Sequence, residues 1–220
     1  MNGLQANGLL SVATHIVTGV ELAPISMADE IHGLQLGAFN VAGEVRGMQF
    51  GVVNVARKSD VSVGAVSLVV EGRTNVHVFG GSDGVASIAV QHGSRYVHNF
   101  YGGSVSLAGK EGFAGGPLIG IGVHAYEDPH VFVDVDALAH VLFASSGNGT
   151  PESLMQGRAV VGYRFTPGFA VFAGPFYDVL IVRKDQAPRA YAGAALTKTV
   201  QAGDHTTYFS PGLLLGVRGP

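Results

Sequence analysis

The sequence predicts an all-β protein, an antiparallel up-and-down meander closing into a β-barrel of about 12 to 14 strands, as counted from runs of alternating apolar residues. Three observations carry this. Only 13% of the 220 residues are charged while 47% are hydrophobic, against about a quarter charged in an ordinary soluble domain. Much of the surface is therefore expected to face something other than water. No stretch supplies the ~18 unbroken apolar residues of a membrane helix, which leaves the closed barrel as the structure able to satisfy its backbone inside lipid. From Phe113 onward, long segments alternate apolar with small or polar residues, at lengths that suit tilted barrel strands.

The chain opens on a 14-residue repeat. Ile31 to Glu44 reads IHGLQLGAFNVAGE and Val45 to Lys58 reads VRGMQFGVVNVARK, with looser copies over Val17 to Glu30, from Ser59, and, with insertions, from Gly3 to Ala13. A unit this short cannot hold a helical hairpin, so each is a strand plus a turn. Two arrangements fit. In a meander, Gly43 to Arg46 and Arg57 to Asp60 are the turns. In a parallel solenoid, Asn40 stacks over Asn54 as a ladder and Gly37 over Gly51 at a tight corner. The alternative fold is then an N-terminal β-solenoid packed on a β-sandwich. With no linker-like segment, residues 1–220 read as a single barrel domain, with repeat-derived strands in 1–72 and non-repeat strands in 73–220.

The later strands follow in order. Val61 to Val70, Val76 to Phe79, Val85 to Gln91 and Arg95 to Leu107 precede four longer ones at Phe113 to Tyr126, Val131 to Phe143, Met155 to Phe165 and Phe169 to Ile181. Tyr191 to Thr199 and His205 to Val217 are weaker. Each of the four has one apolar face: Val131, Val133 and Val135, for example, oppose Asp134, Asp136 and His140. Glu127 to Pro129 and Thr166 to Gly168 read as tight turns, and Ala144 to Ser153 and Arg183 to Arg189 as loops. Counting back from a last connection near Gln201 to Asp204 puts the Ala144 to Ser153 loop on the side of the termini, the reverse of the usual outer-membrane order.

The candidate lumen-lining polar cluster is Asp134, Asp136, His140, Arg158, Arg164 and Asp178. If the apolar faces meet lipid, these charges face inward and pair there. They form either a polar pathway or ligand patch, or a structural ion-pair network; the second is favoured, because such networks form without any chemistry. Tyr163, Phe165, Phe169 and Tyr177 lie near strand ends, where an aromatic girdle belongs, although a soluble core gives the same alternation.

Other motifs carry less. Gly80-Gly81-Ser82-Asp83-Gly84 matches G-x-S-x-G, but a hydrolase elbow needs a helix after it, and Val85 to Val90 reads as a strand. A lipid-acting enzyme would need Ser82, Asp134 and His140 to converge. The nine histidines show no metal-ligand spacing, Lys110 lies outside any P-loop pattern, and Asn148-Gly149-Thr150 is a sequon of little weight. Zero cysteines exclude disulfides, thiolate metal sites and cysteine nucleophiles. A net charge of -3 with scattered cations excludes a nucleic-acid stripe. No catalytic residue, metal or cofactor is expected.

The unit Gly33-Leu34-Gln35-Leu36-Gly37-Ala38-Phe39-Asn40-Val41-Ala42 and its copy from Gly47 to Ala56 resemble the bacterial surface-repeat family of lipoproteins and barrel-like outer-membrane proteins. The resemblance covers roughly residues 3–70, and Phe132 to Asp136 and Phe172 to Pro175 resemble the family's β-rich tail. It implies a location in the outer membrane or cell envelope of a double-membrane bacterium, membrane lipid as partner, and no catalytic residues. The expected role is structural, or passive passage of a small solute; the alternative is a soluble or surface-tethered β-repeat interaction module. Met1 to Leu4 lacks a signal peptide's basic start and apolar core, so an exported chain is expected to begin here after removal of its signal.

Overall fold

Regular structure is β throughout in the computed structural model, which describes residues 2–106, 113–144, 151–184 and 198–220. The segments around Lys110, the sequon at Asn148, most of the Ala144 to Ser153 loop and the start of the expected Tyr191 to Thr199 strand lie outside the described residues. Two units are distinguished: Met1–Thr74 with Gln91–Asn99, and Asn75–Val90 with Phe100–Pro220.

In the first unit the repeats pair in parallel, in chain order: β1 (Asn2–Ala6), β2 (Leu10–Leu22), β3 (Ile25–Leu36), β4 (Phe39–Phe50), β5 (Val53–Val63) and β6 (Val66–Val69). Ile25 pairs with Phe39 and Phe39 with Val53. A straight 12-residue strand covers about 40 Å, and the two residues between Leu36 and Phe39 cannot carry the chain back over that distance to lie beside Ile25. Each unit must therefore double back on itself. The corner falls where Asp29 and Gly43 drop out of the pairing, and the opposite corner is Gly37-Ala38. The result is the solenoid arrangement.

Inside the coils the repeat residues stack. The Asn40 Nδ2 donates to Asn54 Oδ1 at 2.8 Å and to the Phe50 carbonyl at 2.7 Å. The Gln49 Nε2 donates to Gln35 Oε1 at 2.8 Å, and Gln35 to Glu21 at 2.9 Å. A carboxamide both donates and accepts, so identical side chains in register satisfy one another along the stack. Val17, Ile31 and Val45 fill the space between these ladders with Ala42 and Ala56. Gly33 has φ +141, and a Cβ there would lie 2.1 Å from the Gly19 carbonyl oxygen. This accounts for the glycine recurring at 19, 33 and 47. The end of the unit takes the backbone N–H groups of Arg95 and Tyr96 onto the carbonyls of Ser59 and Asp60.

The second unit is a closed antiparallel barrel. Its walls come from β7 (Arg73–Gly81), β8 (Val85–Gly93), β9 (Val97–Ser106), β10 (Ala114–Glu127), β11 (Val131–Ala144), β12 (Glu152–Thr166), β13 (Phe169–Arg183) and β15 (His205–Gly219). The strand order runs from β13 down to β7 and on to β15, and β13 pairs with β15 over Ala170 to Arg183, which closes the ring. The meander closing into a barrel is thus present. It takes eight strands rather than 12 to 14, because the repeat strands form a parallel stack of their own.

β14 (Lys198–Ala202) is not a wall strand. It pairs only with the first residues of β15, beside the stretch where β15 meets β7. This corrects the loop parity. The connections 128–130 and 167–168 lie at one end of the barrel with Pro220, and the strand ends Ser106, Ala114, Ala144, Glu152, Arg183 and His205, which the longer connections join, lie at the other. Short turns beside the C-terminus and long loops opposite are the usual order for an outer-membrane barrel.

Candidate functional site

Period-2 alternation sends each wall strand's side chains to two environments. The outward positions carry no Asp, Glu, Lys or Arg from 115 to 125 on β10, 131 to 143 on β11, 153 to 165 on β12, 169 to 181 on β13 and 207 to 217 on β15. Ile119, Val161 and Leu215 are among them, exposed at 60%, 57% and 63%. The 14 residues of β11 cover about 45 Å of strand, or roughly 35 Å along the axis of a barrel whose strands tilt by ~40°. At the short-turn end His130, Tyr163, Phe165 and Phe169 form a chain of ring contacts at 6.1, 5.1 and 6.2 Å. Tyr177 lies further along β13 and contacts Phe209 at 6.5 Å.

The inward positions are filled. Phe79, Phe100, Phe132, Phe172 and Phe176 form one cluster with Leu118, Leu138 and Leu214. Glycines on neighbouring strands make room for the rings: a Cβ on Gly162 would lie 2.1 Å from the Phe132 ring, and one on Gly216 would lie 2.4 Å from Phe172. These inward phenylalanines are apolar residues on the face that the sequence marks as polar, and their positions follow from strand parity alone.

Five members of the expected cluster, Asp134, Asp136, His140, Arg158 and Asp178, point inward and are buried; Arg164 points inward near the short-turn rim and is partly exposed. They do not form one group. Arg158 and Asp136 are register partners on β12 and β11, and Nε donates to Oδ2 at 2.8 Å with both side chains sealed from solvent. The Arg158 guanidinium lies 4.3 Å from the Phe79 ring, 5.0 Å from Phe100 and 5.8 Å from Phe172. Asp134 is paired with His124 at 2.7 Å and Arg218 at 3.4 Å. Arg164 binds Glu127 and the Asp128 carbonyl, and with Arg218 it brackets the Phe132 ring at 5.0 and 4.6 Å. The His140 Nδ1 is hydrogen-bonded to Ser104 Oγ at 2.8 Å, and Ser104 to Ser87 at 2.8 Å.

Asp178 stands apart from every arginine of the network. Its Oδ1 accepts from Gln156 Nε2 at 3.0 Å, and its carboxyl interacts with that of Asp83, which reaches in from the β7–β8 turn. Burial pushes the Asp83 carboxyl above the usual carboxylate range, against the opposing hydrogen bond from the Val85 N–H. At the opposite rim Asp128 has the contrary environment. The N–H groups of Val131 and His130 donate to it at 2.6 and 2.7 Å and hold its carboxyl below 3.8. Sequence reasoning passed over Asp83, Glu127 and Arg218. Arg218 follows the alternation Leu214, Gly216, Arg218 on the inward face, whereas Asp83 is hidden by ordinary turn chemistry.

The hydrolase elbow does not assemble. Ser82 sits in a hairpin turn, where its Oγ accepts the Leu213 N–H at 3.1 Å, and β8 follows it rather than a helix. Asp134 and His140 are six positions apart on one strand, about 20 Å at 3.3 Å per residue.

The surface of the first unit is divided. Leu10, Ile25 and Phe39 in one column and Val12, Met27 and Val41 in the next are exposed and apolar. The charges gather on the other limb, where Arg46 bridges Glu44 at 2.9 Å and Glu30 at 3.4 Å and Glu71 holds Arg57 and Lys58. The Arg46 hydrogen bond holds the Glu44 carboxyl below its ordinary value. Lys58, Asp60 and Arg95 line a groove of about 370 Å³ beside them, a solvated ion-paired face. No family model, no curated protein and no solved structure matches the chain.

Proposed function

We propose that the barrel spans a bacterial outer membrane as a closed anchor and holds the repeat unit at the cell envelope. The observation that carries this reading is the complete segregation of charge. Five strands, β10 to β13 and β15, present uncharged, mostly apolar side chains outward over a height comparable to the ~30 Å hydrocarbon core, while among the described residues every buried carboxylate and guanidinium of the barrel points inward. A soluble barrel has the reverse demand, since its outer face must be wet. The order of short and long connections and the aromatic chain at the short-turn rim support the same orientation. The likeness of the repeat to the bacterial surface-repeat family supports an envelope location. The Phe and Arg side chains packed in the interior favour a structural role over passage of a solute.

The test is purification of the full chain with and without detergent, followed by gel migration of heated and unheated samples. The proposal expects a protein that stays in solution only with detergent or lipid and migrates differently before and after heating. A monodisperse monomer without detergent would overturn it.

A further inference from the structure

A group of buried oxygen atoms without partners lies toward the long-connection end of the barrel interior, and what it implies does not depend on whether the barrel spans a membrane. Gln156, Asp178 and Ser210 stand side by side on β12, β13 and β15, as register partners whose side chains all point inward. Asp83 approaches the same place from the β7–β8 turn, whose Ser82 is tied to Leu213 of β15 in both directions, and the Asp83 and Asp178 carboxyls act on each other there. All four residues are at least nine-tenths buried. Two carboxylates in contact inside a barrel require a positive charge or a proton between them. Among the described residues, the inward-facing arginines pair elsewhere: Arg158 with Asp136, Arg218 with Asp134 and Arg164 with Glu127.

The polar atoms around the pair point to the missing partner. The Asp83 Oδ2, Asp178 Oδ2, Gln156 Oε1 and Ser210 Oγ are all buried without a hydrogen-bond partner among the described residues. Gln156 has its amide nitrogen turned onto Asp178, so its oxygen is left as a free acceptor. Three of the four atoms can only accept, and the fourth, a hydroxyl oxygen, can also ligate. Oxygen-only donors with two carboxylates match a hard divalent cation, and these four residues include no histidine or thiolate to favour zinc or copper. A divalent ion also balances the charge of both carboxylates.

We propose that Asp83, Asp178, Gln156 and Ser210 form a Ca²⁺-type cation site that ties the β7–β8 turn to the β12–β13–β15 wall. The site is all-oxygen, and water completes the coordination. The ion therefore joins strands that are distant in sequence.

Equilibrium dialysis of the folded full chain against radioactive Ca²⁺, after treatment with a chelator, tests this. The expected result is one Ca²⁺ per chain, with the chelator lowering the temperature at which the far-ultraviolet circular dichroism of the folded chain is lost. Asp83→Asn and Asp178→Asn should each lower the Ca²⁺ affinity at least a hundredfold, while Glu44→Gln on the repeat unit leaves it unchanged. If the aspartate variants fail to fold, Gln156→Leu removes only a neutral ligand and should weaken Ca²⁺ binding about tenfold in a folded protein. Wild-type protein that binds no Ca²⁺ at millimolar concentration and ignores the chelator overturns the proposal and leaves a proton shared by the two carboxylates. Binding of unchanged strength in the variants overturns it equally, by placing the ion elsewhere.

Discussion

Replacing Arg158 with methionine keeps most of the side-chain volume and removes the guanidinium from the centre of the barrel. Asp136 then remains as a carboxylate 1% exposed with its charged partner gone. Breaking one half of a sealed pair costs about 3–5 kcal/mol. Protonation sets an upper limit: giving a proton at pH 7 to an aspartate of ordinary pKa near 3.9 costs about 4 kcal/mol, at 1.36 kcal/mol per unit. Loss of the contacts to Phe79, Phe100 and Phe172 adds roughly 1–2 kcal/mol. Arg158→Met should therefore reduce the folding equilibrium constant by about three decades at pH 7, with the loss shrinking as the pH falls toward 4. Arg158→Met combined with Asp136→Leu removes both charges and should recover most of the deficit. The assay is urea unfolding in lipid vesicles followed by far-ultraviolet circular dichroism, since the chain has no tryptophan. A single-variant loss below about 1 kcal/mol, or a double variant no better than Arg158→Met alone, would refute the pairing argument.

Val161 lies mid-strand and outward between Val133 and Ala173, so Val161→Arg should cost about 2–4 kcal/mol in a bilayer and Ser153→Arg, near the strand end, no more than about 1; equal losses in vesicle unfolding would remove the lipid belt. Asn40→Cys with Asn54→Cys should form a disulfide on mild oxidation, because paired parallel strands bring Cα atoms to about 4.8 Å, within the ~4.4–6.8 Å a disulfide bridges. Free thiols in the oxidised, folded protein would contradict the stacked register. Asp128 has a folded pKa below its ordinary value of 3.8, so its contribution to stability is present above that value and is lost as the pH falls through the lower folded one. Asp128→Ala should be less stable than wild type at pH 6, with the gap closing in strong acid; a gap that persists unchanged there would show that the two N–H contacts are not what Asp128 contributes.

The barrel half was legible because period 2 survives tertiary context. The expected Val131 to Phe143 strand differs from β11 by one residue at its end, and the expected inward position of Asp134, Asp136 and His140 is the one found. The repeat half was less legible. A 14-residue unit fits an antiparallel strand and turn as well as a coil that folds back on itself, and local pattern cannot choose between them. Tertiary packing chooses, through the glycine at 33 under the Gly19 carbonyl and the Asn40–Asn54 ladder. The site was legible only by parity. Alternation places Asp178 inward but cannot say that Gln156 and Ser210 are its neighbours, because register is a property of strand pairing. Nor can it mark Asp83, whose burial depends on which strands flank its turn.

The stacked coils make the repeat unit a ruler. Each coil hydrogen-bonds to the next through the same backbone ladder and the same carboxamide contacts, so one 14-residue copy more or fewer leaves both neighbours with interfaces they already make. The change in length is one strand spacing, about 4.8 Å. The strand pairings of β10 to β13 and β15 with one another lie outside the repeat. Gene duplication within the repeat can thus lengthen or shorten the stack in fixed steps.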